Sequence, residues 1–225
     1  MIPTVAALEG ASVADVSSAL AMRIAELIGQ PGAHRRIIAI AGPPGSGKST
    51  LASRVVDDLL AAGVAAALMP MDGFHLDDRL LEPRGLLRRK GAPETFDFPG
   101  FASALRRVRD EPSVVLPVFD RNREIAIAGA AEIQPDTRLV VVEGNYLALD
   151  EDPWRQLAPL WDLCIFLDVP MAELERRLVA RWLSFGFEPE VAHARAAGND
   201  LPNAERICRA VGRVDLLVHV GRPSE

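Results

Sequence analysis

The stretch Gly42-Pro43-Pro44-Gly45-Ser46-Gly47-Lys48-Ser49 fits the pattern GxxxxGK[ST] at every position. Before it lies the short isoleucine-rich run Arg36 to Ala41. After it a helical pattern extends to about Ala62, with Gly63 where a C-cap glycine belongs. Strand, glycine loop and helix in this order make a phosphate cradle. The glycines let backbone N–H groups turn inward, the helix N-terminus adds its dipole, Lys48 reaches the β- and γ-phosphates, and Ser49 offers a hydroxyl to Mg2+. Gly42, Gly45, Ser46, Gly47, Lys48, Ser49 and Thr50 are therefore the expected nucleotide-binding residues, with ATP and Mg2+ as the expected cofactors. The plain alternative is a glycine-rich turn with a solvated lysine, and the flanking strand and helix weigh against it.

The rest of the chain alternates in the same way. Ser12 with Asp15 forms a capping box ahead of Val13, Val16, Leu20, Ile24, Leu27 and Ile28, a leading helix stopped by Gly29, Pro31 and Gly32. Strands are expected at Val64 to Met71, Ser113 to Phe119, Arg138 to Val142, Asp162 to Val169 and Val214 to Val220. Helices are expected at about Gly100 to Arg109, Met171 to Ser184, Glu190 to Ala197 and Pro202 to Val211. Strands apolar throughout and separated by helices call for a parallel sheet covered on both faces. The expected fold class is α/β, the three-layer α/β/α sandwich of P-loop NTPases with a mostly parallel central sheet and a helical lid. The expected organisation is one domain over 1–225, with a leading helix at 1–32, an acceptor-site insertion at 73–99 and a lid region at 181–203.

Composition narrows the functional classes. The chain has 225 residues, 49% of them hydrophobic and 25% charged, enough apolar surface to fold as one substantial domain and to exclude whole-chain disorder. With 25 basic and 31 acidic residues the net charge is -6, a poor footprint for a phosphate backbone, so no nucleic-acid partner is expected. Cys164 and Cys208 form no CxxC pair and read as small core hydrophobes in a reducing compartment. Glu9 and Asp15 precede the first basic residue, Arg23, so no secretory leader is expected. The longest apolar stretch, Ala61 to Met71, is far short of the ~18 residues of a membrane span. A soluble cytoplasmic protein with no membrane partner follows, and if it self-associates a homodimer is the expected form.

Topology brings further residues to the cradle. A helix returning from the first strand makes the next parallel strand end on the phosphate edge, which delivers Asp72 beside the γ-phosphate to accept or orient a hydroxyl proton. His75 follows as a substrate contact or as polar surface. The strand Arg138 to Val142 ends in Glu143, a Walker B layout with Glu for Asp, where a carboxylate helps hold Mg2+ or faces the acceptor. Arg177 and Arg181 share a helix face and are candidates to offset charge on the transferring phosphoryl, against the ordinary fate of solvated surface arginines. The guanine-reading NKxD motif is absent from the sequence, which disfavours a GTP switch.

Taken with the segments Met71 to His75, Arg89 to Asp97 and Phe119-Asp120-Arg121, these motifs make the chain resemble the phosphoribulokinase/uridine kinase family over roughly Ile37 to Val220. Its branch resembles the nucleoside/nucleotide kinase-like, fructose-transport-system-kinase-like proteins, with echoes of type I pantothenate kinase. The resemblance implies Asp72 as base and Lys48, Arg177 and Arg181 as partners of the transferring group. It implies His75, Arg89, Lys90, Asp120, Arg121 and Glu143 on the acceptor side, and Asn199 to Asn203 near the adenine and lid. The implied activity is ATP- and Mg2+-dependent transfer of the γ-phosphoryl to a hydroxyl of a small molecule. Asp72-Gly73-Phe74-His75 departs from the uridine kinase pattern at that point, and the acceptor stays open among nucleoside, pantothenate-like and sugar-like compounds. The rival reading is a regulatory ATPase acting on a protein partner, which has no need of the Arg- and Lys-rich insertion.

Overall fold

The computed structural model of the protein describes residues 12–28 and 35–220. Its strands are β1 (Arg36–Ala41), β2 (Ala66–Pro70), β3 (Val114–Asp120), β4 (Ile125–Ile133), β5 (Leu139–Gly144), β6 (Leu163–Asp168) and β7 (Leu216–His219). Its helices are α1 (Val13–Ile28), α2 (Lys48–Ala61), α3 (Asp78–Leu81), α4 (Phe98–Asp110), α5 (Met171–Ser184), α6 (Pro189–Arg195) and α7 (Leu201–Arg209). The central sheet runs β2-β5-β1-β6-β7, every pair parallel.

Because side chains alternate along a strand, the continuous apolar runs of β1, β5 and β6 feed two cores at once. Ile37, Ala39, Val140, Val142 and Phe166 meet Phe101 and Leu105 of α4 and Trp154 on one face. Ile38, Ile40, Val141 and Ile165 meet α1 and α2 through Leu20, Ile24, Leu51, Val55 and Leu59 on the other. Truncating a buried Leu or Ile among these to Ala costs about 2–5 kcal/mol. The capping box forms as the sequence predicts, with Asp15 N–H donating to Ser12 Oγ at 3.2 Å and Ser12 N–H to Asp15 Oδ2 at 2.9 Å. Ser17 Oγ then ties α1 to Asp58 Oδ2 of α2 at 2.7 Å. The stop signals Gly29, Pro31 and Gly32 lie outside the described residues.

The Ser113 to Phe119 run is a strand as expected but stays out of the parallel sheet: as β3 it pairs antiparallel with β4 in a separate ribbon. Pro117 explains this in part, since it has no N–H for a central ladder and its register slips against β4 at that residue. Cys164 is buried in the core as expected, whereas Cys208 is exposed on α7. The helices expected at Glu190 to Ala197 and Pro202 to Val211 run together through a π turn at Ala196–Asp200. No helix among the described residues is long and apolar enough to cross a membrane.

The segment after β2 is folded. A 3-10 turn, Met71–Phe74, is followed by α3 and two further short turns, and it is closed by a bridge between His75 and Phe96 and by Asp97 N–H donating to Phe74 O at 2.8 Å. Asp97 also caps α4, its Oδ1 accepting from Gly100 N–H at 3.0 Å.

Candidate active site

Parallel pairing sets the site. Glu143 lies level with Ile40 on one side and Pro70 on the other, and Gly144 level with Ala41. The glycine loop, the Asp72 turn and Glu143 therefore leave the sheet at its C-terminal edge, where open α/β sheets bind ligands. Gly45 and Gly47 hold φ of 82° and 89°, left-handed values that turn the loop into the start of α2. Ser46 N–H closes the loop on Pro43 O at 3.1 Å, while Ser46 Oγ is buried with no hydrogen-bond partner among the described residues. Ser49, in the first turn of α2, donates its hydroxyl to Glu143 Oε2 at 3.0 Å.

Glu143 is 4% exposed at the end of an apolar strand. Burial raises its pKa above the usual carboxylate value and the nearby Asp72 charge adds to this, against the opposing pull of Lys48, the Ser49 hydroxyl and Arg121. Its oxygens and the neighbouring Ser49 hydroxyl are hard donors of the kind that suit Mg2+. Asn145, just after β5, has a buried Oδ1 with no hydrogen-bond partner among the described residues.

Asp72 is placed by an intimate contact. A Cβ on Gly73 would lie 2.4 Å from Pro117 O, so glycine alone lets the β3–β4 ribbon rest on the Asp72 turn. From the ribbon's tip Arg121 Nη2 donates to Asp72 Oδ2 at 2.5 Å. Its neighbour Asp120 turns inward on the ribbon, Oδ1 accepting from the N–H groups of Asn122 and Arg123 at 3.0 and 3.1 Å. His75 is no loose surface residue. Its ring stacks between Phe96 and Phe119, with centroids at 4.1 and 4.5 Å, and Nδ1 donates to Asp72 O at 2.8 Å, which leaves Nε2 as an acceptor. Burial lowers the His75 pKa despite the Asp72 charge, so the ring is neutral at pH 7.

Lys90 lies across the same ribbon, 5.6 Å from the Phe119 ring centroid, with Nζ on Asp78 Oδ1 at 2.6 Å and Glu124 O at 2.9 Å. Arg89 points away to Glu94 at 2.9 Å. The two α5 arginines part company. Arg177 Nη1 donates to the loop carbonyls of Ser46 and Gly45 at 3.2 and 3.4 Å, and its Nε is held by Glu173 at 2.6 Å. Arg181 instead reaches Asp200 at 2.9 Å, its Nε buried without a partner among the described residues. Asp72, Lys48, Ser49, Glu143, His75, Lys90 and Arg121 thus belong to one neighbourhood, Arg177 borders it, and Arg89, Asp120 and Arg181 are engaged elsewhere. Sequence reasoning missed Glu173, which i,i+4 spacing to Arg177 makes legible, and the acids Asp78 and Glu124 that hold Lys90, for which no local signal exists.

Comparison with known proteins agrees with this geometry. The model of the phosphoribulokinase / uridine kinase family matches residues 37–181. The chain is 36% identical over 191 residues to the protein YggC of Escherichia coli (strain K12), covering 83% of this chain and 78% of that one. It is 33% identical over 150 residues to the ATP-dependent kinase-like protein notR' of Aspergillus versicolor, 62% of this chain and 87% of the other. Among solved structures, a Silicibacter sp. TM1040 protein provisionally named a fructose transport system kinase superposes with a TM-score of 0.86 at 51% identity, over 89% of this chain and 98% of that one. A glycine cradle on an α/β sheet with two carboxylates at its phosphate edge, matched over most of its core by one family, makes the chain an ATP-dependent small-molecule kinase belonging to the phosphoribulokinase/uridine kinase family.

Proposed function

We propose that the protein moves the γ-phosphoryl of ATP to a hydroxyl of a small metabolite, with Asp72 accepting the hydroxyl proton. The observation that carries this reading is the convergence of Asp72 and Glu143 on the phosphate loop, marked by the 3.0 Å bond from Ser49 Oγ to Glu143 Oε2. The loop N–H groups and the α2 N-terminus bind phosphate oxygens, and Lys48 offsets their charge. Ser49 and Glu143 present hydroxyl and carboxylate oxygens, donors that suit Mg2+, and the buried Glu143 anion gains from a cation beside it. When bound, Mg2+ neutralises charge on the β- and γ-phosphates.

Asp72 offers its carboxylate to the acceptor. Arg121 engages only Oδ2, and the incoming hydroxyl hydrogen-bonds to the carboxylate. As the acceptor oxygen bonds to phosphorus, the bond from the γ-phosphorus to the bridging oxygen breaks, ADP leaves with that electron pair, and the hydroxyl proton passes to Asp72. His75 Nε2 and Lys90 orient the acceptor from the insertion at 73–99, and the segment 181–203 acts as the lid. Arg177 is poised at the loop to turn from its carbonyls to phosphate. Acceptor chemistry stays open among nucleoside, pantothenate-like and sugar-like alcohols.

The test is a mass-spectrometric screen of the purified protein with Mg2+-ATP and pooled nucleosides, pantothenate, sugars, sugar phosphates and glycerate, with Asp72→Asn as control. A phosphorylated product that vanishes in the variant supports the reading. ADP formed without any phosphorylated acceptor, and stimulated by a protein partner, overturns it in favour of a regulatory ATPase.

A further inference from the structure

Two adjacent residues of the π turn Ala196–Asp200 reach in opposite directions. Asp200 Oδ2 accepts from Arg181 Nη2 at 2.9 Å and from the Trp182 indole N–H at 2.8 Å, binding the turn to α5. Asn199 Nδ2 donates to Lys90 O at 2.8 Å, binding it to the loop that carries Lys90 to the acceptor side. We propose that Asn199 and Asp200 couple the two substrate sites, so that nucleotide engaged at the glycine loop fixes the Lys90 backbone through them, with Asn199 as a positioning residue. The proposal rests on the kinase reading and adds the route between its two halves.

Each contact in the chain is specific. α5 touches the phosphate loop itself, through Arg177 on the Ser46 and Gly45 carbonyls and Leu178 packed against Gly45. A nucleotide that draws on those groups must shift or stiffen α5, and Arg181 and Trp182 carry that change to Asp200. The Asn199 amide is oriented by a second amide, since Asn203 is 3% exposed and its Nδ2 donates to Asn199 Oδ1 at 3.2 Å. That leaves Nδ2 to face Lys90 O, whose neighbour Gly91 O is held from the sheet side by Tyr146 Oη at 2.5 Å. The two successive carbonyls are thus gripped from the lid and from the core. The π turn that carries both residues is a rare backbone form concentrated at functional sites.

Hydrogen exchange measures the coupling without knowledge of the acceptor. The amides of Gly91, Ala92 and Thr95 bond within this loop. In wild type, adding Mg2+ and β,γ-imido-ATP should slow their exchange by about fivefold or more, the scale of ordinary coupling energies. Asn199→Asp keeps the size and removes the donor; with nucleotide held at saturation, verified by calorimetry for each variant, the nucleotide-dependent protection should be lost. Asp200→Asn should lose the same protection from the other end. Wild type that binds nucleotide but leaves these amides unchanged overturns the proposal, as does Asn199→Asp that retains the full response. If wild type binds no nucleotide, the kinase reading falls first and the coupling with it, an outcome told apart by the calorimetry alone.

Discussion

The two edges of the central sheet treat their polar groups in opposite ways. At the N-terminal edge the buried Arg35 guanidinium satisfies five main-chain carbonyls: Thr137, Val108, Glu111, Pro112 and Gln134, at 3.0, 2.5, 3.0, 2.8 and 3.0 Å. Nearby, Asp162 accepts from Ile37 N–H, Arg36 and Arg109 at 2.8, 2.9 and 3.0 Å. At the C-terminal edge Ser46 Oγ and Asn145 Oδ1 are buried with no hydrogen-bond partner among the described residues, and the buried Glu143 carboxyl is held by one hydroxyl. Burying unpaired polar groups destabilises the free protein, and the groups become useful only when a ligand arrives. One edge closes the fold, and the other presents its polar groups to a ligand.

The widest break between the edges comes from one substitution on each. Asp72→Asn should lower kcat by about 10²–10⁴, the range for a lost general base, with thermal stability nearly unchanged. A comparable loss of nucleotide affinity would assign Asp72 a structural role instead. Arg35→Met should do the reverse. It leaves several buried carbonyls unpaired and should cost about 3 kcal/mol or more in urea unfolding, with activity per folded molecule unchanged. Lost activity in the folded variant would show that the edges are not independent.

How much of this was legible follows the same division. The cradle could be read because its requirements are local: a strand, glycines at fixed positions and a Lys-Ser pair, and β1 and α2 fall where the spacing puts them. Asp72 and Glu143 could be placed because parallel topology forces both strand ends onto one edge. The ribbon was not legible. In Ile125-Ala126-Ile127-Ala128 both alternate positions are apolar, so the two-residue period carries no polarity contrast. Arg35 was invisible for a different reason: its partners are main-chain carbonyls 73 to 102 residues away, and any residue supplies a carbonyl. Arg177 and Arg181 share a face as their spacing says, but spacing cannot tell which of them meets the loop and which meets Asp200.

Charge removal should sharpen the contrast by reversing sign between the edges. Burial and the Asp72 charge raise the Glu143 pKa, so its ionisation weighs against the fold from the ordinary carboxylate range upward, fully so above its folded value. Glu143→Gln should therefore raise the melting temperature at a pH above that value while lowering Mg2+-dependent turnover. Burial alone would raise the Asp162 pKa as well, but the Ile37 N–H, Arg36 and Arg109 together hold it below the usual value. That stability is present above the unfolded pKa and lost as pH falls through the folded one. Asp162→Asn should lower stability at neutral pH by about 1.5 kcal/mol, a shift of roughly 3–6 °C in a chain this size. Two shifts of the same sign at a pH above the folded value of Glu143 would dissolve the distinction.

The smallest effect discriminates best. Ser46 is 1% exposed, and its Oγ has no hydrogen-bond partner among the described residues. Replacing it by Ala removes that unsatisfied atom and keeps the Cβ, and the melting temperature should hold or rise slightly. If the loop holds phosphate, the same hydroxyl is positioned to donate to it, and its loss should weaken ATP binding by about the 0.5–1.5 kcal/mol of one hydrogen bond, some two- to tenfold in Kd. Stability and affinity must then move in opposite directions on the loss of a single oxygen atom. A variant that loses stability instead would mean that Ser46 Oγ is already satisfied in solution, and that the C-terminal edge holds less in reserve for its ligand than its unpaired atoms imply.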